Sequence, residues 1–429
     1  MKTASILMAL FFFSLIAVTA AAGDFSRNGT SIDLSGNLKS YFFAIDPADV
    51  KHDQAAAEPG TEGLAQNKLR LRLLGRLSGT AVFETAYEVH PMVYDNFTPL
   101  SAGMVSGLQT TSAYRVDDFD AQLYPDADDT GSFRIIQNLD RFSLTLSPGL
   151  ADFSIGRQPI AFGSAHVINP TDVLAPFNFN ELDTEERLGV DAVRVRLPVG
   201  AMGEIDSGLV FGKDFETKNS AAFLRLRYPV KATDFTLSTV AFKDNFLIGL
   251  DATRAVKGAG VWLEAAWTWA GLLDDRISDE DYSRASMGID YNINWKDGLY
   301  VYLEYHYNGA SADDPDQYLR RMTETAYRDG GVYLLGRHYL AGGIAFQISP
   351  LWTARLSGLV NFGDRSGYYM GSLEYNFSEN AYLSLGVNIP QGRKSVIASG
   401  STAGDVTARP QSEFGLYPAL YYTAISFFF

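Results

Sequence analysis

The 429-residue chain contains no cysteine. That excludes a disulfide framework, a thiolate metal site and a thiol nucleophile. It also excludes covalently attached c-type haem, which needs a CxxCH motif. Histidine is scarce, with five: His52, His90, His166, His306 and His338. No HExxH, GxSxG or comparable motif surrounds them. His306 and Glu304 share one face of a strand pattern, as an acid and a histidine do in some barrel hydrolases. No nucleophile accompanies them, so catalysis is not expected. Basic residues fall short of acidic ones, 35 to 50. No cofactor, metal or nucleic-acid partner is expected.

Long apolar runs are missing too, with one exception at the start. Met1 to Ala22 has Lys2, an apolar core from Ile6 to Val18, and Ala20-Ala21-Ala22 before Gly23. This predicts a secretory signal peptide over 1–22, the core being short for a membrane span. No later stretch reaches the ~18 apolar residues of a spanning helix. Yet 46% of the chain is apolar. Those residues are dispersed, as alternation would disperse them.

The alternation is there from residue 31 onward. Leu69, Leu71 and Leu73 alternate with Lys68, Arg70 and Arg72. Val193, Val195 and Leu197 alternate with Arg194 and Arg196, and Leu224, Leu226 and Tyr228 with Arg225 and Arg227. A helix would give these residues no coherent face, whereas a strand separates them cleanly. Counting such runs to the C-terminus gives about eighteen strands (16–18). The last is Tyr421–Phe429, with Phe429, Phe427, Ile425 and Tyr421 on one row. An ordinary buried edge strand is the alternative for that stretch, but an exposed one invites aggregation.

The connections sort by parity. Links after even-numbered strands are short, such as Ser78-Gly79-Thr80, Ser147-Pro148-Gly149 and Lys257-Gly258. Links after odd-numbered strands include every long one, near 44–64, 91–131, 159–188, 271–282, 310–331 and 390–412. A sandwich has no reason to sort its loops this way, but an outer-membrane barrel does. The expected fold is all-β: a single-domain transmembrane antiparallel β-barrel over 23–429, with both termini on the periplasmic side. One face of each strand is aliphatic with aromatic ends, which suits lipid; the other is polar, which suits a wet lumen too wide for side chains to fill.

On the polar face the arginines gather on strands two, four, six and eight: Arg70, Arg72, Arg76, Arg141, Arg194, Arg196, Arg225 and Arg227. Glu84, Glu88, Glu204 and Asp206 lie between them. The opposite wall carries Glu264, Asp290, Glu304 and Glu374. A guanidinium track attracts carboxylates or phosphates, and rings of fixed charge set pore selectivity. The same charges could instead pair across strands and brace the wall. Acidic clusters on the outer links (Asp117, Asp118, Asp120, Asp126, Asp128, Asp129; Asp279, Glu280, Asp281; Asp313, Asp314, Asp316) lack fixed ligand spacing and suit a solvated rim better than a metal site.

The link at about 159–188 carries Val167, Ile168, Val173, Leu174, Phe177 and Phe179. These are too many apolar residues for a loop in water, so the link is expected to fold into the lumen as a constriction or plug. The string GRQ…FG…NPTD…P…EER.GVDA.R over roughly 155–197 resembles a motif of uncharacterised outer-membrane porin-like proteins of Gram-negative bacteria. More loosely the chain resembles the eighteen-stranded alginate-export and substrate-specific porins. The resemblance implies a solute pore, without naming the solute. Within the motif, Arg157, Asp172, Glu185, Glu186 and Arg187 are the candidates for locking the loop to the wall by ion pairs.

The expected function is a porin passing small hydrophilic, preferentially anionic solutes by diffusion. Its expected surroundings are outer-membrane lipid and lipopolysaccharide, with assembly through the barrel-assembly machinery at Phe429. The alternative is a scaffold sheathing a partner such as a multihaem cytochrome in an electron-transfer conduit. Absence of cysteine fits both.

Overall fold

The computed structural model describes residues 23–27, 29–48, 50–52, 60–94, 112–118, 122–124, 132–273, 280–296, 298–399 and 406–429. The signal-peptide expectation for residues 1–22 lies outside the described residues, as do Asp120, Asp126, Asp128, Asp129 and Asp279.

Eighteen antiparallel strands form one closed wall. They are β1 (Thr30–Asp46), β2 (Glu62–Ser78), β3 (Ala81–Tyr94), β4 (Phe133–Leu146), β5 (Asp152–Pro159), β6 (Gly189–Val199), β7 (Gly203–Phe211), β8 (Ala221–Val230) and β9 (Thr233–Phe242). There follow β10 (Asn245–Val256), β11 (Ala259–Trp269), β12 (Tyr282–Ile293), β13 (Leu299–Asn308), β14 (His338–Ser349), β15 (Trp352–Asn361), β16 (Ser366–Ser378), β17 (Ala381–Gln391) and β18 (Ala419–Phe428). Each strand pairs with its sequence neighbours. Closure is made by β18 on β1, from Asn37 opposite Phe428 to Asp46 opposite Ala419. The closed ring leaves no long hydrogen-bonding edge, which is why an aromatic C-terminal strand is tolerated here. Phe429 adds one more pair of backbone hydrogen bonds, to Gly36.

Links after even-numbered strands are two to five residues long, and the long links all follow odd-numbered strands. The two rims therefore differ: one of tight turns, one of long loops. Outward rows such as Leu224, Leu226 and Tyr228, or Ile248 and Leu250, stand exposed. Such a continuous apolar belt is unfavourable in water and is what hydrocarbon requires. The fold is that of a membrane-spanning β-barrel.

The inward rows are less uniform than the alternation implies. At the long-loop end, Ala192, Val210, Phe223, Val240, Phe242 and Leu247 turn inward and are buried. They pack on Tyr114, Ile160, Phe162, Val173 and Leu174, which belong to long links. A second cluster joins Ile168, Leu334 and Phe414 to Tyr339, Leu359 and Tyr368 of the wall. Side chains do not fill an eighteen-stranded lumen, but the loops do. Links 95–132, 160–188, 309–337 and 392–418 all send segments inside, whereas the sequence pointed to one.

Candidate functional site: a loop that circles the barrel interior

Residues 160–188 leave β5 and return at β6, touching most of the wall on the way. Near the start, Phe162 packs edge-on against Phe223 at 5.2 Å, and the Arg225 guanidinium lies 4.6 Å above the Phe162 ring. Ser164 Oγ donates to Asp251 on β10 at 2.8 Å.

Two carboxylates then hold the backbone. Glu264 on β11 accepts the N–H groups of Ser164 (3.0 Å), Ala165 (3.0 Å) and Thr171 (2.8 Å), and the Thr171 hydroxyl at 2.7 Å. Glu304 on β13 accepts the N–H groups of His166 (2.8 Å) and Ile168 (2.9 Å) and the Trp262 indole N–H (3.0 Å). The loop can present several N–H groups together because it has no regular ladder of its own, and an ionised carboxylate is acceptor-only. Ser286 Oγ and Arg284 on β12 complete the clasp, donating to the carbonyls of Ile168 (2.6 Å) and Pro170 (2.8 Å).

Farther on, Phe179 packs on Tyr368 of β16 and on Phe414. Lys39 on β1 donates to Asp183 (2.7 Å) and Glu185 (2.6 Å), and Lys68 on β2 to Asp183 (3.3 Å). Burial works against the Asp183 carboxylate, but Lys68 and Lys39 hold it below the usual range. The circuit closes where Gly189 N–H donates to Asp140 at 2.9 Å.

The expected site residues divide accordingly. Glu264 (0% exposed) and Glu304 (1%) belong to the acidic wall by position but lie beneath the loop, not on a wet surface. Asp290 accepts from Gly260 N–H (3.0 Å) and the Tyr300 hydroxyl (3.1 Å), and stands 3.7 Å from His166. Glu374 pairs with the exposed Arg355 at 3.2 Å.

Of the arginine ladder, Arg70 (2%) and Arg141 (3%) are buried. Arg70 reaches Glu88 at 2.5 Å and Asp140 at 2.6 Å; Arg141 reaches Asp140 at 2.5 Å. Both approach Glu186 at 3.4 Å. Arg194 makes a bidentate pair with Asp206 at 2.8 Å, and Arg225 comes within 3.7 Å of the same carboxylate. Arg72 pairs with Glu84 (2.7 Å) and Arg196 with Asp152 (3.4 Å). Arg76 and Arg227 are exposed and have no ion-pair partner among the described residues.

The loop anchors are redistributed in the same way. Glu185 and Glu186 do reach the wall. Asp172 and Arg187 pair with each other instead, tying the two halves of the loop, and Arg187 stacks over Phe177 at 4.3 Å. Burial raises the Asp172 carboxyl above its ordinary range even against Arg187. Arg157 grips a different segment, donating to Asp118 (2.8 Å) and the Asp117 carbonyl (2.8 Å), and also donates to Asp191 of β6 (2.8 Å). The expectation of a solvated acidic rim fails at Asp118, which pairs with Arg115 (2.7 Å) and Arg157 (2.8 Å) against the inner wall; the inward course of 112–118 carried no signal in its long polar link, which has no apolar run. Lys39 and Lys68 showed only as inward members of the alternation.

A cavity of about 310 Å³ opens on the long-loop side, lined by Lys68, Glu88, His90, Tyr114, Phe177 and Tyr333 among others. Another of about 420 Å³ lies along β1, β15–β18 and the loop, lined by Lys39, Arg355, Glu374, Tyr382 and Ser426 among others. Glu181 and Asp183 belong to the walls of both. The loop at 181–183 is thus the partition between two polar chambers. Burial raises the Glu181 carboxyl.

No family model matches the chain, and no curated protein does. Solved structures do. OccAB4 of Acinetobacter baumannii superposes with a TM-score of 0.55 at 10% identity, covering 93% of this chain and 98% of that one. OccK8 (OprE) of Pseudomonas aeruginosa gives 0.54 at 10% identity with the same coverage. OpdK of Pseudomonas aeruginosa, solved with vanillate, gives 0.51 at 10%, again over 93% and 98%. At that identity the likeness is one of fold, over nearly the full length of both chains.

Proposed function

We propose that the chain is an outer-membrane channel that passes small hydrophilic solutes by passive diffusion, with a preference for anionic ones. The observation that carries this reading is the pair of polar chambers on either side of the 181–183 partition, inside a barrel of the Occ-type fold. The loops that fill the rest of the lumen favour a solute path over a sheath, because a folded haem protein is far larger than either chamber. The signal peptide, the outer-membrane location, the periplasmic placing of both termini and assembly through Phe429 belong to the same reading.

The anion preference rests on the short-turn half of the lumen. There Arg76 and Arg227 have no ion-pair partner among the described residues, while Arg72 and Arg196 are paired with Glu84 and Asp152. Each unit charge acting at ~10 Å through water contributes about 0.4 kcal/mol. The two unpaired charges acting together raise local anion concentration by roughly fourfold at low salt, and less as salt screens them. The test is the reversal potential of the folded barrel in a planar bilayer under a potassium chloride gradient. Chloride preference that moves toward potassium on replacing Arg72, Arg76, Arg196 and Arg227 with Ser supports the reading. An unmoved potential removes the arginine track, and silence from a folded barrel removes the channel.

A further inference from the structure

Three consecutive hairpin turns at the short-turn rim carry a lysine in left-handed backbone. They are Lys231 between β8 and β9 (φ 58°), Lys257 between β10 and β11 (φ 50°), and Lys296 between β12 and β13 (φ 51°). The other five short links contain no Lys or Arg. Glycine and asparagine take this conformation readily, while a residue with a long side chain is disfavoured there. Lys243 takes the same conformation (φ 50°) in the β9–β10 turn at the opposite rim, but there it pairs with Asp329, whereas the three at the short-turn rim have no ion-pair partner among the described residues.

Arg254 adds to the arc from the neighbouring strand. It lies in the outward row of β10 with Ile248, Leu250 and Val256, near the turn that holds Lys257. A guanidinium on a lipid-facing row is costly unless it reaches an anion at the interface. All four cations are exposed, and none has a carboxylate within 4.0 Å among the described residues. The nearby acids Asp234 and Asp290 sit on inward rows, and Asp297 lies outside the described residues. Exposed aromatics border the arc: Tyr228, Tyr291 and Trp295, with Lys296 Nζ 5.0 Å from the Trp295 ring centre. Aromatics with adjoining cations mark the headgroup level of a bilayer.

We propose that this arc of the rim, from the β8–β9 turn to the β12–β13 turn, binds the phosphates of anionic phospholipid headgroups in the adjoining leaflet. The binding is one-sided, so anionic lipid collects along β8–β13. The proposal rests on the reading that the barrel spans a membrane.

The test reconstitutes the full barrel in nanodiscs of phosphatidylethanolamine with a minority of phosphatidylglycerol. Native mass spectrometry then counts the lipids that stay bound on release. The wild type should retain phosphatidylglycerol above its bulk share. Replacing Lys231, Arg254, Lys257 and Lys296 with Ser should cut that enrichment by about tenfold or more. Lys257→Ser alone should cut it partly, which keeps the test decisive if the fourfold variant does not fold. Replacing Arg365 and Arg393, at the long-loop rim, should leave it unchanged. Equal retention by wild type and fourfold variant overturns the proposal. Retention of phosphatidylethanolamine to the same excess over its bulk share as phosphatidylglycerol would show no selection for anionic headgroups and overturn it too. A barrel that inserts into no bilayer overturns the membrane reading itself, an outcome distinct from insertion without lipid preference.

Discussion

Replacing Glu304 with Gln should free the 166–168 stretch of the loop without unfolding the barrel. The Glu304 carboxylate accepts two strong backbone N–H bonds at 2.8 and 2.9 Å, the Trp262 indole at 3.0 Å, and a longer contact from Val167 at 3.3 Å. Glutamine keeps one acceptor oxygen and turns an NH₂ group toward the remaining donors. At least two charge-assisted bonds are lost or weakened, each contributing about 1.5–3 kcal/mol. Taking about 3 kcal/mol for local opening, hydrogen-exchange protection at residues 166–168 should fall by roughly a hundredfold. Single-channel traces should show new open-state noise as the loop detaches and rebinds. Glu374→Gln is the control, because its exposed pair with Arg355 contributes at most about 1 kcal/mol and touches no loop. Unchanged protection at 166–168 would refute the idea that Glu304 anchors the loop. Protection lost evenly over the whole barrel would refute the claim that the effect is local.

Three further outcomes follow from the same contacts. Gly163 has φ +87°, and a Cβ there would stand 2.5 Å from both Glu264 carboxylate oxygens; Gly163→Ala should therefore loosen the loop and raise mean conductance while the heat-resistant gel mobility of the barrel stays. Arg70→Met leaves Glu88 and Asp140 buried beside one another, and should destabilise the barrel by about 3–5 kcal/mol in urea unfolding; a change under about 1 kcal/mol would mean the network is dispensable. Glu413, wholly buried in the 392–418 link, accepts from Leu335 N–H (2.9 Å), Asn361 (2.8 Å) and Tyr339, with Asp364 and Tyr318 close by and no ion-pair partner among the described residues. Burial, with Asp364 adding, raises its carboxyl from 4.5 to about 7. The folded state thus holds the proton more tightly than the unfolded one, so this anchor is strongest below about pH 4.5 and weakens as pH rises to about 7. Exchange protection of Leu335 should fall over that window in the wild type and stay flat in Glu413→Gln.

Much of the architecture could be read from residue order because it depends on local repetition. Leu69, Leu71 and Leu73 against Arg70 and Arg72 settle which way a strand faces wherever its partner lies. Link lengths sort the two rims into one of tight turns and one of long loops. The candidate site was less legible. Glu264, Glu304 and Asp290 occupy equivalent inward positions, yet the first two are buried under a loop while Asp290 is only partly covered. Nothing in their neighbours along the chain separates them. Arg70 and Arg227 are likewise both inward arginines, one locked among Glu88, Asp140 and Glu186, the other free of any described ion pair.

Sequence alone determined the strand count to within 16–18, the alternation of wetted and lipid-facing rows, the sorting of long and short links, and the apolar character of 160–188 that turns it inward. Each follows from periods of two and from composition, which act over a few residues. Tertiary structure alone decided where that loop goes, which charges it covers, and that three other links join it inside. Those outcomes rest on meetings such as Ser164 with Glu264 and His166 with Glu304, one hundred residues or more apart in the chain. Closing the ring is what brings such residues within hydrogen-bond reach, and buried carboxylates and free backbone N–H groups then have few other partners.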